Sequence, residues 1–308
     1  MTAWRPSASL DQLRFRARLL RQIREFMAQR GIREVNTPLL TPAGVTEPQI
    51  QSIALGHGRG FLRTSPEYCH KRLLAAGFGD LYEIGPVFRD AEHGRLHRPE
   101  FHLLEWYRVG RDWRELAEET VHLVTACTPP GHAPWQVQFQ SWSASFEASL
   151  GFDPLVDSRP AVELAREELP PECDLGMCLD YLFSQRIQAF FPGEQLTVIH
   201  GYPATQAALA RIDPGDPRVA CRFEVFAGPL ELANGYQELT DPVEQRWRFE
   251  QDNRRRLQLG LPAMPIDEAL LAAMEAGLPD CSGVALGLER LMMALTGAER
   301  LEEVIAFD

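Results

Sequence analysis

Lysine is almost missing from this chain: Lys71 is the single one among 31 basic side chains, and all the others are arginine. Protection from a reactive acyl group would explain the scarcity. Asparagine is also rare, however, while Ala, Gly, Pro and Arg abound, so GC-rich coding is the simpler cause. No run of about 18 apolar residues occurs, so no transmembrane helix is expected. The first twenty residues lack an apolar core and a cleavage site, which argues against a secretory signal. The cysteines (Cys69, Cys127, Cys173, Cys178, Cys221, Cys281) form no Cys-x-x-Cys pair and read as reduced cytoplasmic thiols, not as a disulfide framework or zinc knuckle. There is no G-x-x-x-x-G-K-[ST] phosphate loop, and the glycines of "GHGRG" lack the following helix and downstream acid of a dinucleotide fold. Positive charge is short overall. A net charge of −12 argues against broad nucleic-acid binding, which needs many cations on one face. The local exception is the stretch 1–36, with eight arginines against Asp11, Glu25 and Glu34; it reads as a solvated helix face or a docking surface for an acidic partner.

What is present suggests mixed elements. Ser9 followed by Gln12 is a capping-box pattern, and Leu13, Leu20, Ile23 and Met27 continue at helical spacing up to Gly31. "IREVNTPLLTP" reads as a strand broken at Pro38, and "QSIAL" with "GFLR" as a hairpin. Pro66 opens a helix through Ala76. "LYEIGPVFR" and "FHLLEWYRV" read as two strands, the second with Phe101, Leu103, Glu105 and Tyr107 on one face. A helix is expected from about Asp112, followed by the linker-like "TPPGHAP" and a mainly helical insertion over about 141–192. Strands return at "QLTVIHG", "VACRFEVFAG" and "PLELANGYQEL", and "CSGVALGLERLMMAL" reads as a strand turning into a helix. Without regular βαβ alternation, the expectation is an α+β fold around an antiparallel sheet, formed by a single domain over 1–308.

Three constellations carry chemistry. "FRDAEHGRLHRPEF" gathers Arg89, His93, Arg95, His97 and Arg98 in one loop; arginine forks suit phosphate because they bind in bidentate fashion and keep their charge. His93 and His97 are four apart, but on a loop that spacing does not make a metal pair. In "RFEVFAGPLELANGYQEL", Val219, Cys221, Phe223 and Val225 form an apolar strand face, leaving Arg222 and Glu224 on the other. Glu224 and Glu231, on facing strands, are a means of holding magnesium with room for phosphates. Glu238, with Glu67 and Glu105, suits a cationic ligand. In "GVALGLERL", Gly287 opens a helix whose free amides favour an anion, with Arg290 one turn on.

Together with "REVNTPLL", these segments resemble the three signature motifs of the class II aminoacyl-tRNA synthetases. "TSPEY", "PEFHLLEWY" and "LELANGYQELTDPVEQ" resemble the catalytic core of the lysyl branch. That branch carries an anticodon-binding barrel before this region, and none is expected here. The likeness therefore extends to the truncated paralogue family that joins (R)-β-lysine to elongation factor P. The resemblance implies a cytoplasmic, ATP-dependent, magnesium-using ligase that acts as a homodimer through the Pro38 segment, with elongation factor P as protein acceptor. It implies that Arg89, Asp90, Ala91, His97, Arg98, Phe101, Glu231, Leu232, Gly287 and Arg290 meet ATP, with Arg89 and Arg290 catalytic and Glu224 and Glu231 on magnesium. Ser65, Pro66, Glu67, Glu105, Tyr107, Asn234, Glu238 and Ala285 would then line the amino-acid pocket. The sequence departs from the family's Phe-Arg-x-Glu at Ala91, where Glu92 follows and a small loop shift would bring it into the acid's role. Lysyl-tRNA synthetases tend to have glycine where Ala285 stands. The added methyl disfavours an α-ammonium group while leaving room for one on the β-carbon, a discrimination of about 1–3 kcal/mol. The rival readings are an α-lysine ligase acting on tRNA or another acceptor, and a non-catalytic synthetase-like regulatory subunit.

Overall fold

The computed structural model describes residues 4–90, 92, 94–170 and 173–308. Helix α1 (Leu10–Gln29) starts where Ser9 Oγ accepts from the Gln12 amide at 3.2 Å. Only this half of the expected capping box forms, because the Gln12 side-chain oxygen has no partner. Burial on α1 is deepest at Leu19, Ile23, Phe26 and Met27, so Ile23 and Met27 stand as expected while Leu13 and Leu20 are only half-buried.

After the short β1 (Arg33–Glu34), Pro38 interrupts the chain as expected, and β2 (Leu40–Thr41) pairs with β3 (Phe61–Leu62). Helix α2 (Glu67–Ala75) begins directly after Pro66. Strands β4 (Leu81–Phe88) and β5 (Glu100–Val109) are antiparallel around the basic loop. Helix α3 (Trp113–Cys127) carries a complete capping box between Asp112 and Glu115. The "TPPGHAP" stretch is not a boundary between subregions: β6 (Gln136–Ser141), which follows it, joins the same sheet.

Helices α4 (Trp142–Leu150), α5 (Arg159–Ala165) and α6 (Leu175–Leu182) come next, then β7 (Gln195–His200), β8 (Arg222–Ala227) and β9 (Leu230–Gln237). Val219, expected on the apolar face of β8, precedes that strand and pairs with Pro203 instead. Helices α7 (Pro242–Gln258) and α8 (Glu268–Gly277) lead to β10 (Cys281–Gly287), which turns into α9 (Leu288–Thr296).

The eight-stranded sheet has the order β1-β4-β5-β10-β9-β8-β7-β6, parallel only at its two ends, β1 with β4 and β6 with β7. One face packs on α1, α3 and α9 through Leu104, Trp106, Phe223, Val225, Val284 and Leu286. Gly235 lies on this face, where a Cβ would strike the Phe223 ring. Toward β7 the opposite face is covered by the helical segment, where Ile199 and Phe226 join Trp142, Phe146 and Phe183 in a second core. The middle of that face, over β5, β10, β9 and β8, stays open. No helix among the described residues is long and apolar enough to cross a membrane.

Candidate active site

Strand alternation and register build the floor of the site. Glu83, Glu105, Ala285, Asn234 and Glu224 stand in one cross-strand row, directly opposite one another in turn. The adjacent row is Leu81, Tyr107, Gly283, Tyr236 and Arg222. Both rows face the same side, because side chains two apart on a strand share a face. Gly283 has no alternative there: a Cβ would collide with the Tyr107 ring and Glu238 Oε1.

A cavity of about 920 Å³ lies over this floor and brings most of the expected residues together. Ser65, Glu67, Glu105, Tyr107, Asn234, Glu238 and Ala285 line one end; Arg89, His97, Arg98, Phe101, Glu231, Leu232, Gly287 and Arg290 line the other. Pro66 is not in this wall; it starts α2 and borders a smaller neighbouring pocket. Asp90 is also outside it, its amide donating to the Gln51 carbonyl. Ala91 and His93 lie outside the described residues. Glu224 stands just behind the wall.

At the basic end, the Arg89 guanidinium lies 5.1 Å from the Phe101 ring centre, and its buried Nε has no partner. Glu92 lines the cavity between Arg89, at 3.9 Å, and His97, at 3.5 Å. Arg290 donates to Glu231 Oε2 at 3.3 Å and meets His97 Nε2 at 2.8 Å. Burial, then the positive Arg290, pushes the His97 ring toward its neutral form. Arg98 lines the cavity with its Nε paired to Asp308 at 2.5 Å.

Glu224 and Glu231 are not directly opposite each other. Val225 pairs with Ala233 and Phe226 with Glu231, so Leu232 is the extra residue of a β-bulge. Glu224 accepts from Arg222 at 2.5 Å and from Tyr202 at 2.7 Å. Burial pushes its pKa up against the pull of Arg222, and the charge of Glu231 adds to the rise. A buried carboxylate raised in this way, with a second carboxylate nearby, suits a cation. Among the described residues no cluster of three or more metal-ligating side chains occurs, so such an ion would take its remaining ligands from phosphate oxygens and water.

The acidic end is deeply buried. Glu105 accepts from Ser65 Oγ at 2.7 Å and from Tyr107 at 2.9 Å. Burial, then the charge of Glu67, pushes it up to about 8. Glu238, 1% exposed, is pushed up to about 7 by burial against the pull of Lys71. Behind Glu105, Glu83 is gripped by Arg63 at 2.8 Å, Thr37 Oγ1 at 2.7 Å and His70 Nε2 at 3.1 Å.

Sequence reasoning missed Lys71, His70, Glu83, Arg63 and Tyr202. Lys71 was the one with a signal, being four residues after Glu67 on a helix and the only lysine of the chain. The cavity also reaches Asp180 on α6, and Trp247 and Asp252 on α7, which no motif marks.

Residues 1–308 match the family of class II tRNA synthetases (D, K and N). The chain is 43% identical to the elongation factor P–(R)-β-lysine ligase of Vibrio parahaemolyticus, covering 99% of this chain and 98% of that protein. It is 44% identical to the ligase of the same name from Klebsiella pneumoniae strain 342, covering 99% and 97%. The chain belongs to the class II tRNA synthetase family.

Proposed function

We propose that this protein activates (R)-β-lysine with ATP as an adenylate and transfers the β-lysyl group to a lysine side chain of elongation factor P. The observation that carries this reading is one continuous cavity with carboxylates at one end and arginines at the other, matched to a diamino acid and a triphosphate. The names of the relatives supply the identities of amino acid and acceptor.

Arg89, stacked beside Phe101, steers the substrate carboxylate to the α-phosphorus. A carboxylate oxygen forms the new O–P bond while the bond to pyrophosphate breaks, and the fixed guanidinium stabilises the charge that develops. Arg290 and Phe101 hold the adenine between them, with His97 and Arg98 toward the outer phosphates. Glu224 and Glu231 would hold magnesium, which when bound would neutralise phosphate charge. The neutral ε-amine of the acceptor then attacks the acyl carbon; an amide forms, AMP leaves and the amine gives up a proton. No covalent bond to the enzyme is needed. The chain's own single ε-amine, on Lys71, is buried in ion pairs and is no competing acceptor. The reading places the protein in the cytoplasm as a homodimer, a state supported by the exposed Leu39 and Leu40 beside Pro38.

Intact-mass analysis tests it. Elongation factor P incubated with this protein, ATP and β-lysine gains one β-lysyl mass while the enzyme's own mass is unchanged. Glu231→Ala abolishes the gain, and an unmodified acceptor with the native enzyme would refute the assignment.

Ala285 tests the choice of amino acid. It stands between Glu105 and Asn234 in the floor row, so its methyl narrows the pocket at the substrate's amines. Ala285→Gly raises ATP–pyrophosphate exchange with α-lysine by about 10–100-fold relative to β-lysine. A native enzyme that already prefers α-lysine would favour the α-lysine ligase instead.

A further inference from the structure

We propose that Lys71 is a fixed internal counter-ion that sets the acidic end of the cavity to hold two ammonium groups, so that the site selects diamino acids over acids with a single amine. The proposal rests on the reading of that end as the amino-acid pocket. Lys71 projects from α2 one turn after Glu67 and is completely buried. Its Nζ lies 2.7 Å from Glu67 Oε1 and 2.6 Å from Glu238 Oε2. An exposed pair at this helical spacing contributes little, but a buried ammonium is costly to desolvate and persists only with charged partners. Attraction to Glu238 and Glu67 outweighs that burial, and the Lys71 pKa is raised.

The charge count follows from the geometry. Three carboxylates, Glu67, Glu105 and Glu238, cluster at this end, with Glu47, pushed toward its neutral form by burial, farther along the wall; Lys71 engages one oxygen each of Glu67 and Glu238. Glu238 Oε1 is buried and has no hydrogen-bond partner. Both oxygens of Glu105 are held by neutral hydroxyls. His70 faces Glu105 at 3.7 Å, but burial pushes it toward its neutral form, and Glu83 and Arg63 behind it are paired with each other. Two negative charges therefore remain when all three acids are ionised, and a diamino acid whose carboxylate lies at Arg89 brings two ammonium groups to meet them. With no ligand, protons stand in: the raised values of Glu105, facing Glu67, Ser65, Tyr107, His70 and Glu238, and of Glu238, facing Lys71, Glu67 and Cys281, are those protons. At pH 7 Glu105 is mostly protonated and Glu238 about half, so two incoming ammonium groups together expel more than one proton. Binding accordingly tightens as pH rises through 7 to 8.

The experiment is calorimetry at pH 7 in buffers of different ionisation heat, using the native protein with β-lysine, α-lysine, 3-aminohexanoate and 6-aminohexanoate. The diamino acid that binds releases more protons than either single-amine acid, and those bind at least ~100-fold more weakly, as expected where a buried polar group loses its partner. In Lys71→Met the KM for the diamino acid in ATP–pyrophosphate exchange rises roughly 100-fold, because Glu67 and Glu238 lose the shared ammonium that holds both carboxylates in place. The KM for ATP stays unchanged, and added ethylammonium lowers the raised KM. If that variant does not fold, the proton counts on the native protein decide alone. Equal proton release and affinity for single-amine and diamino acids, or an unaltered diamino-acid KM in Lys71→Met, overturns the counter-ion role. A response to α-lysine with none to β-lysine overturns the proposed substrate and leaves the counter-ion role to the same comparison, since both acids carry two ammonium groups.

Discussion

Replacing Arg89 by alanine lowers ATP–pyrophosphate exchange about 10³-fold, the size of loss expected when a preorganised donor is removed from a centre of developing charge. Arg89 follows directly on β4, its amide bonded to the Pro99 carbonyl at 2.9 Å, so the backbone on both sides of the loop fixes where the side chain starts. Its Nε is buried without an acceptor, and the acid it pairs with, Glu92, is 3.9 Å away. A guanidinium so poorly served by its own protein is suited to an anion from outside. Removing it leaves no buried partner stranded, so the melting temperature of Arg89→Ala stays close to native while the exchange rate falls. Arg89→Lys recovers only a small part, because an ammonium cannot present two parallel donors to one phosphate. Exchange within about tenfold of native in the alanine variant would remove Arg89 from the chemistry.

Much of this architecture was legible in local pattern. The alternation in "FHLLEWYRV" put Phe101, Leu103, Glu105 and Tyr107 on one face, and they line the cavity together. The Pro66 helix start and the strand-to-helix turn at Gly287 are likewise local, set by Pro geometry and by the change from period 2 to period 3.6. What stayed hidden depends on partners distant in the chain. His97 meets Arg290 across 193 residues, and Glu83 meets Arg63 across 20, pairings that no spacing rule encodes. The bulge at Leu232 was equally invisible, since one extra residue in "LELANG" leaves alternation ambiguous; it moves Glu231 from a place opposite Ala227 to one opposite Phe226, on the face that Glu224 shares. On α1 Ile23 and Met27 are buried as expected, but packing buries Leu19 and Phe26 more deeply than the expected Leu13 and Leu20.

The support behind the site gives the largest expected effect on stability. Glu83→Ala destabilises the fold by about 3–5 kcal/mol in urea unfolding, because Arg63, 3% exposed, is left buried without its anion. Burial by itself would raise the Glu83 carboxyl, but hydrogen bonds from His70, Thr37 and Arg63 overcome it and hold the group down, from its ordinary 4.5 to about 2. The sign of the pH dependence follows. A depressed carboxyl stabilises the fold fully above its unfolded value, and that contribution is lost as pH falls toward the folded one. The stability gap between native and Glu83→Ala is therefore constant from neutral pH to about 5 and narrows by about 3 kcal/mol on going to pH 2. His70 joins Glu83 to Glu105, so the variant also raises the KM for the amino acid while leaving that for ATP alone. A gap that keeps its full width at pH 2 would mean that Glu83 is not the carboxylate these partners hold ionised.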